Sequence, residues 1–319
     1  MTSTFSRRAL LGGLLAATTA GVAACSGETA QFSGGSGSGS KSGGDDGDNK
    51  TVSMAIVAGW DECVASSNLW KVLLEQRGYT VNLQELDIAS TFTGVANGQI
   101  DLYLDAWLPA THEDYWNRYE DDLEKLGTWT DGTLVLSVPE YVDLSSIAEL
   151  KDHKDDFGGR IVGIEAGAGE MKVARESIMP NYGLDDWTLV EGSTSAMLAE
   201  LQKSITRKEN VAVTLWTPHW AFGKYPIKNL DDPDGAWGEA DQLTTVATKG
   251  FSEANPEVAG WLKNYSIEDD VLATLMSQIQ AAGSGSEADV AQQWAQDNAD
   301  VTDAWFGEST SSSPSPSAS

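Results

Sequence analysis

The sequence predicts an α/β protein folded as two related lobes. Two observations carry that prediction. Apolar runs of strand length alternate with helical stretches, and the alternation occurs twice along the chain. The two copies also share a pitch, since Trp60 to Trp107 spans 47 positions and Gly169 to Trp216 spans 47 again.

The first copy opens with a strand at 52–58 that ends in Gly59-Trp60-Asp61-Glu62. A helix follows over 61–77. Asp61 and Glu62 suit its N-terminus, Val64, Leu69, Val72 and Leu73 form an apolar stripe, and Gly78 stops it. Residues 79–86 alternate as a strand does, 90–97 is a short helix closed by Gly98, and 100–106 is a third strand ending at Trp107-Leu108-Pro109. The order β-α-β-α-β implies parallel strands.

In the second copy a strand at 160–164 runs into Gly167-Ala168-Gly169-Glu170, which opens a helix over 170–178. A strand at 187–190, a helix at 195–206 and a strand at 211–215 follow, the last ending at Trp216-Thr217-Pro218-His219. Residues 133–138 read as a strand connecting the lobes, and 243–248 as the way back. Helices at 256–261, 267–282 and 287–299 then complete the first lobe. Lobe 1 is therefore expected over 51–137 plus 243–306, and lobe 2 over 138–242. Two crossings form a hinge, and a hinge lets a cleft close on a ligand.

The ends read differently. Residues 1–25 form a signal peptide: Ser6-Arg7-Arg8-Ala9 is a twin-arginine start, and the apolar stretch from Ala9 to Ala24 is 16 residues, short of the roughly 20 that span a bilayer. Val22-Ala23-Ala24-Cys25 has the form of a lipobox, which makes Cys25 the acylated N-terminus of an extracytoplasmic protein exported by the twin-arginine or Sec route. Residues 26–50, rich in Gly, Ser and Asp, read as a disordered tether with a reach on the order of 25 Å. Residues 307–319 read as a disordered tail.

Composition excludes several classes. The formal charge is −28, or −30 once Arg7 and Arg8 leave with the leader. That balance disfavours nucleic acid or anionic lipid as surface partners. With Cys25 lipidated, Cys63 is the other cysteine and no internal disulfide is expected. No spacing of Cys and His suits a metal, so no cofactor is expected. No Gly-x-Ser-x-Gly elbow occurs, and Cys63 lacks a recognisable His partner, which argues against an enzyme.

Chemistry concentrates at strand ends, where ligands bind in open parallel sheets. Trp60, Trp107 and Trp216 each follow a predicted strand. A lone tryptophan there is more often core, but three at equivalent ends of two lobes point to a site. Indole faces suit a trimethylammonium group, which spreads its charge over methyls and has no N–H to donate. A desolvated cation–π contact is worth on the order of 2 kcal/mol. Three of them, less the cost of association, are compatible with roughly micromolar affinity. The turn at Gly169 and Glu170 offers backbone amides at a helix start for a carboxylate, with the Glu170 side chain expected to point away. His112, five residues past Trp107, is a candidate donor to that carboxylate. His219, three past Trp216, is a rival, and His153 reads as surface.

These residues carry a resemblance to the substrate-binding proteins of glycine betaine/proline-betaine ABC transporters, the OpuAC family. The segments that match are Gly59-Trp60-Asp61-Glu62, Gly98-Gln99-Ile100-Asp101, Ala106-Trp107-Leu108-Pro109-Ala110-Thr111-His112, Gly163-Ile164-Glu165-Ala166-Gly167-Ala168-Gly169 and Leu215-Trp216-Thr217-Pro218-His219-Trp220. The resemblance implies a two-lobe periplasmic-binding-protein-like fold of type II. It also implies a three-Trp prism at Trp60, Trp107 and Trp216, and carboxylate capture by His112 with the amides of Gly169 and Glu170. His219 then stands behind the ligand contacts. The implied partners are a permease with its ATPase, and the binding protein itself is expected as a monomer. An apolar residue occupies the Glu170 position in resembling proteins, so that position departs from the pattern. Choline or carnitine would use the same cage. An extracytoplasmic hydrolase and a carbohydrate adhesin are the readings from other classes.

Overall fold

The computed structural model describes residues 50–307. The signal peptide, Cys25, nearly all of the tether and nearly all of the tail lie outside the described residues.

The first unit consists of β1 (Thr51–Ile56), α1 (Asp61–Glu75), β2 (Thr80–Glu85), α2 (Ile88–Ala96) and β3 (Leu102–Leu108). β1 pairs in parallel with both β2 and β3. α1 carries Asp61 and Glu62 in its first turn and buries Cys63, Leu69, Trp70 and Leu73. α2 starts where Asp87 accepts the Ser90 N–H at 3.0 Å, a cap worth about 0.5–2 kcal/mol. α3 (Glu113–Tyr119) follows β3.

β4 (Leu123–Pro139) then crosses the molecule. In the second unit β5 (Arg160–Val162) is followed by α4 (Gly169–Val173), β6 (Thr188–Val190), a helix over Thr194–Arg207, β7 (Ala212–Thr217), β8 (Ile227–Asn229) and β9 (Asp241–Thr248). β5 pairs in parallel with β6 and β7. The helical turns of α4 continue through residue 181.

The strands join in the order β2-β1-β3-β9-β4-β7-β5-β6, with β8 on β4. β9 and β4 run antiparallel to their neighbours, so each parallel trio is closed by an antiparallel strand. β4 pairs with β9 from Leu123 to Gly132 and with β7 from Thr133 to Ser137. One strand thus serves both sheets, and the change falls at Gly132–Thr133, a few residues ahead of the 137/138 division read from the sequence. The chain returns between β8 and β9, through residues 230–240.

Much of β4 escapes sequence reading. Its burial runs BieBieBieB over the first ten residues, a repeat of three rather than two. Register shifts between Lys125 and Gly127, and between Thr128 and Thr130, are the cause: each bulge inserts a residue and resets the alternation. Helices Pro256–Asn264, Asp269–Ala282, Glu287–Asp297 and Ala299–Trp305 complete the first unit. The last returns to α1, where Trp305 stacks on Trp70 with centroids 5.8 Å apart.

Candidate functional site

Three sheet ends and one helix start meet at one cavity. Trp60 caps α1 where β1 gives way to helix. Trp107 lies one residue inside the end of β3, and Trp216 one residue inside the end of β7. Gly169 and Glu170 open α4. All five, with His112, line that one cavity, and Glu62, Thr111, Leu134, Ile164 and Ala168 complete the lining. The six sequence-chosen ligand contacts therefore converge. The three indoles are 3–6 % exposed, buried around a shared space rather than in separate cores.

The walls are set by local packing. Trp60 stacks on His112 with centroids 5.6 Å apart and planes 10° apart. Trp107 crosses Gly132 of β4 so closely that a Cβ there would lie 2.5 Å from its ring. Its indole N–H donates to Asp105 Oδ1 at 3.0 Å, and that of Trp216 donates to Glu62 Oε2 at 2.8 Å. Two of the three rings are thus pinned by buried carboxyls.

His112 is fixed as a donor. The Trp107 backbone N–H donates to Nδ1 at 3.0 Å, so the ring proton sits on Nε2. That Nε2–H is buried and has no partner among the described residues. Burial pulls the imidazole down to about 3, which keeps it neutral. Asp241 holds the preceding turn, accepting the N–H groups of Ala110 at 2.6 Å and Thr111 at 2.9 Å.

The same burial disfavours the charged form of the acids at the site. Burial pushes Glu62 up to about 8, and the hydrogen bond from Trp216 offsets only part of that. Asp105 and Glu170 stand well above the usual carboxylate range, again chiefly by burial, with Glu62 nearby adding to both. The Glu170 side chain, expected to turn away from the anion position, is folded into the interior beside Thr214.

His219 does not line the cavity. It packs edge-on against Trp216 at 4.9 Å, and its Nε2 lies 3.3 Å from Asp61 Oδ2. Trp220 donates its indole N–H to the same oxygen at 2.6 Å. His153 pairs with Asp156 in an exposed position.

The two halves are drawn together around the cavity. Glu62 and Asp61 of α1 hold Trp216 and Trp220, the Tyr115 hydroxyl donates to the Gly167 carbonyl at 3.0 Å, and Lys172 pairs with Asp114 at 2.5 Å. Gly169 abuts Thr111, where a Cβ would fall 2.0 Å from the carbonyl oxygen. Sequence reading missed Glu62, Asp105 and Asp241 as parts of the site. Glu62 and Asp105 lie two residues from Trp60 and Trp107, but acids are common in this chain and nothing local marks these as buried.

Such a site offers aromatic faces, an unpartnered neutral imidazole N–H and no Lys or Arg in its lining. Among the described residues no cluster of His, Cys, Asp and Glu is arranged for a metal.

The family described as the substrate-binding domain of an ABC-type glycine betaine transport system matches residues 50–297. The chain belongs to this OpuAC family. Its members are substrate-binding components of transporters, extracytoplasmic in importers, and not enzymes. The chain is 36 % identical over 160 residues to the glycine betaine/carnitine transport binding protein GbuC of Listeria monocytogenes, a match covering 48 % of this chain and 52 % of that one. The chain thus spans about half the length of that curated relative. Two solved structures are similar over more of their length. The glycine betaine/L-proline-binding protein ProX of Borrelia burgdorferi is 32 % identical with a TM-score of 0.75, covering 80 % of this chain and 96 % of its own. Lactococcal OpuAC, in a closed form complexed with glycine betaine, is also 32 % identical with a TM-score of 0.75, covering 80 % of this chain and 99 % of its own. The fold is accordingly the two-lobe periplasmic-binding-protein-like α/β fold, with its cleft between the lobes. No helix among the described residues is long and apolar enough to cross a membrane.

Proposed function

We propose that this protein captures glycine betaine, or a closely related quaternary-ammonium solute, and delivers it to an ABC import permease with its ATPase. The observation that carries this reading is the convergence of Trp60, Trp107 and Trp216, from both sheets, on one cavity that also holds an unpartnered His112 Nε2–H. The indoles take the methylated cation through their faces. The ligand carboxylate accepts from His112 and from the backbone amides of Gly169 and Glu170. His219 acts behind these contacts by bracing Trp216.

Lobe 1 over 51–137 plus 243–306 and lobe 2 over 138–242 are read as the bodies that close on the ligand. The protein is read as a monomer tethered through lipid on Cys25, which lies outside the described residues. Cys25→Ala should release it from the membrane fraction, and continued attachment would remove the anchor from this reading.

Choline is the second reading, and one observation favours it: Glu170, an acid with a buried side chain, lines the cavity where a ligand carboxylate would sit. A panel of glycine betaine, proline betaine, carnitine and choline, titrated while following tryptophan fluorescence, separates the two. Betaines should bind more tightly than choline. Choline binding as tightly as the betaines would overturn the ligand assignment.

A further inference from the structure

Glu62 occupies a position that a binding cage built on ring faces alone does not require. It lines the cavity from the first turn of α1, is 1 % exposed, and accepts the indole N–H of Trp216 from the opposite sheet at 2.8 Å. Its surroundings hold no balancing charge. Asp61 and Cys63 flank it on α1. Tyr103 and Asp105 face it from β3, Glu170 faces it from α4, and the uncharged His112 shares the cavity. No Lys or Arg is in the lining. A carboxylate buried without a counter-charge is costly enough that the group takes a proton instead. An opposite charge within roughly 4–6 Å reverses that preference.

We propose that Glu62 is the counter-charge of the site: a neutral acid in the free protein, it becomes a carboxylate when a quaternary ammonium settles between the indoles, and capture therefore expels a proton. The balance is simple. The carboxyl O–H bond breaks, its proton passes to the buffer, and the electron pair stays on Glu62 opposite the bound cation. The Trp216 indole N–H, already aimed at Oε2, strengthens as the acceptor gains charge. Burial holding the free carboxyl up near 8 means that it is protonated at neutral pH and available to lose that proton. The proposal rests on the ligand reading above, and it adds that the site responds to pH through one named carboxyl.

The test is calorimetric titration of glycine betaine at pH 7 in phosphate and in Tris, which differ in heat of protonation. The wild-type enthalpy should differ between the two buffers in the sense of proton release. Its Kd should fall by up to about tenfold per pH unit from pH 6 toward 8. E62Q keeps an acceptor for Trp216 and removes the titration, so its enthalpy should not depend on the buffer and its Kd should be flat over that range. The Glu62 carboxyl carbon-13 shift in wild type, moving from the protonated to the ionised position on adding betaine, decides the point even if E62Q fails to fold. Betaine binding with equal heat in both buffers and a flat Kd overturns the proposal while leaving the ligand reading intact. Proton release that survives in E62Q but is lost in E170Q overturns it as well. No binding by any member of the betaine panel removes both readings together.

Discussion

Gly169→Ala probes the closed arrangement at its tightest point. The Gly169 Cβ position lies 2.0 Å from the Thr111 carbonyl oxygen and 2.7 Å from its methyl group. Ordinary contact begins near 3.4 Å, so an added methyl forces the two segments about 1.4 Å apart (3.4 − 2.0). Thr111 is the neighbour of His112, and Gly169 carries one of the amides assigned to the same ligand carboxylate. A carboxylate placed 2.9 Å from one group would then lie roughly 4.3 Å from the other, beyond hydrogen-bond reach. A hydrogen bond to a charged group contributes about 1.5–3 kcal/mol, which converts to a loss of roughly 10- to 150-fold in betaine affinity. Alanine is a good helix former at the start of α4, so each half should keep its own stability. Calorimetric titration measures the affinity, and small-angle scattering with saturating betaine should show a variant that stays more open than wild type. Wild-type affinity in G169A, with the same compaction, would refute the reasoning about closure.

Trp60→Ala, Trp107→Ala and Trp216→Ala should each weaken betaine binding by at least about tenfold, one cation–π contact being worth on the order of 2 kcal/mol; folded variants that bind as wild type would remove the cage. His112→Ala should cost glycine betaine roughly 10- to 150-fold through the lost donor and leave choline nearly unaffected; an equal loss for both ligands would show that His112 does not address a carboxylate. The pH dependence of stability has opposite signs for the two buried groups. Glu62, raised from 4.5 to about 8 in the folded protein, binds a proton that the unfolded chain has lost over that window, so its contribution falls as pH rises from about 4.5 to 8. His112, lowered from 6.5 to about 3, withholds a proton that the unfolded chain binds, so its contribution falls as pH drops below 6.5. Thermal unfolding across pH 4–9, without ligand, should show E62Q losing less stability than wild type on the alkaline side; parallel curves would dissociate Glu62 from that loss.

What could be read from the sequence alone was what short-range pattern controls. The alternation of strand and helix in both halves was legible because each apolar run and each cap is local: Val52 to Val57, the acids opening α1, Gly98 closing α2. The positions of Trp60, Trp107 and Trp216 at strand ends were legible for the same reason, and with them the outline of the candidate site. Tertiary structure decided the rest. β4 joins both sheets through bulges that erase its two-residue period, and β9 finds its place only by pairing across about 110–125 residues with β4 and about 135–145 with β3. Glu62, Asp105 and Glu170 look in sequence like the many acids of a strongly negative surface. Burial alone separates them from that crowd, because the free energy of a carboxyl depends on the solvent and charges around it, and those are supplied by segments far away in the chain.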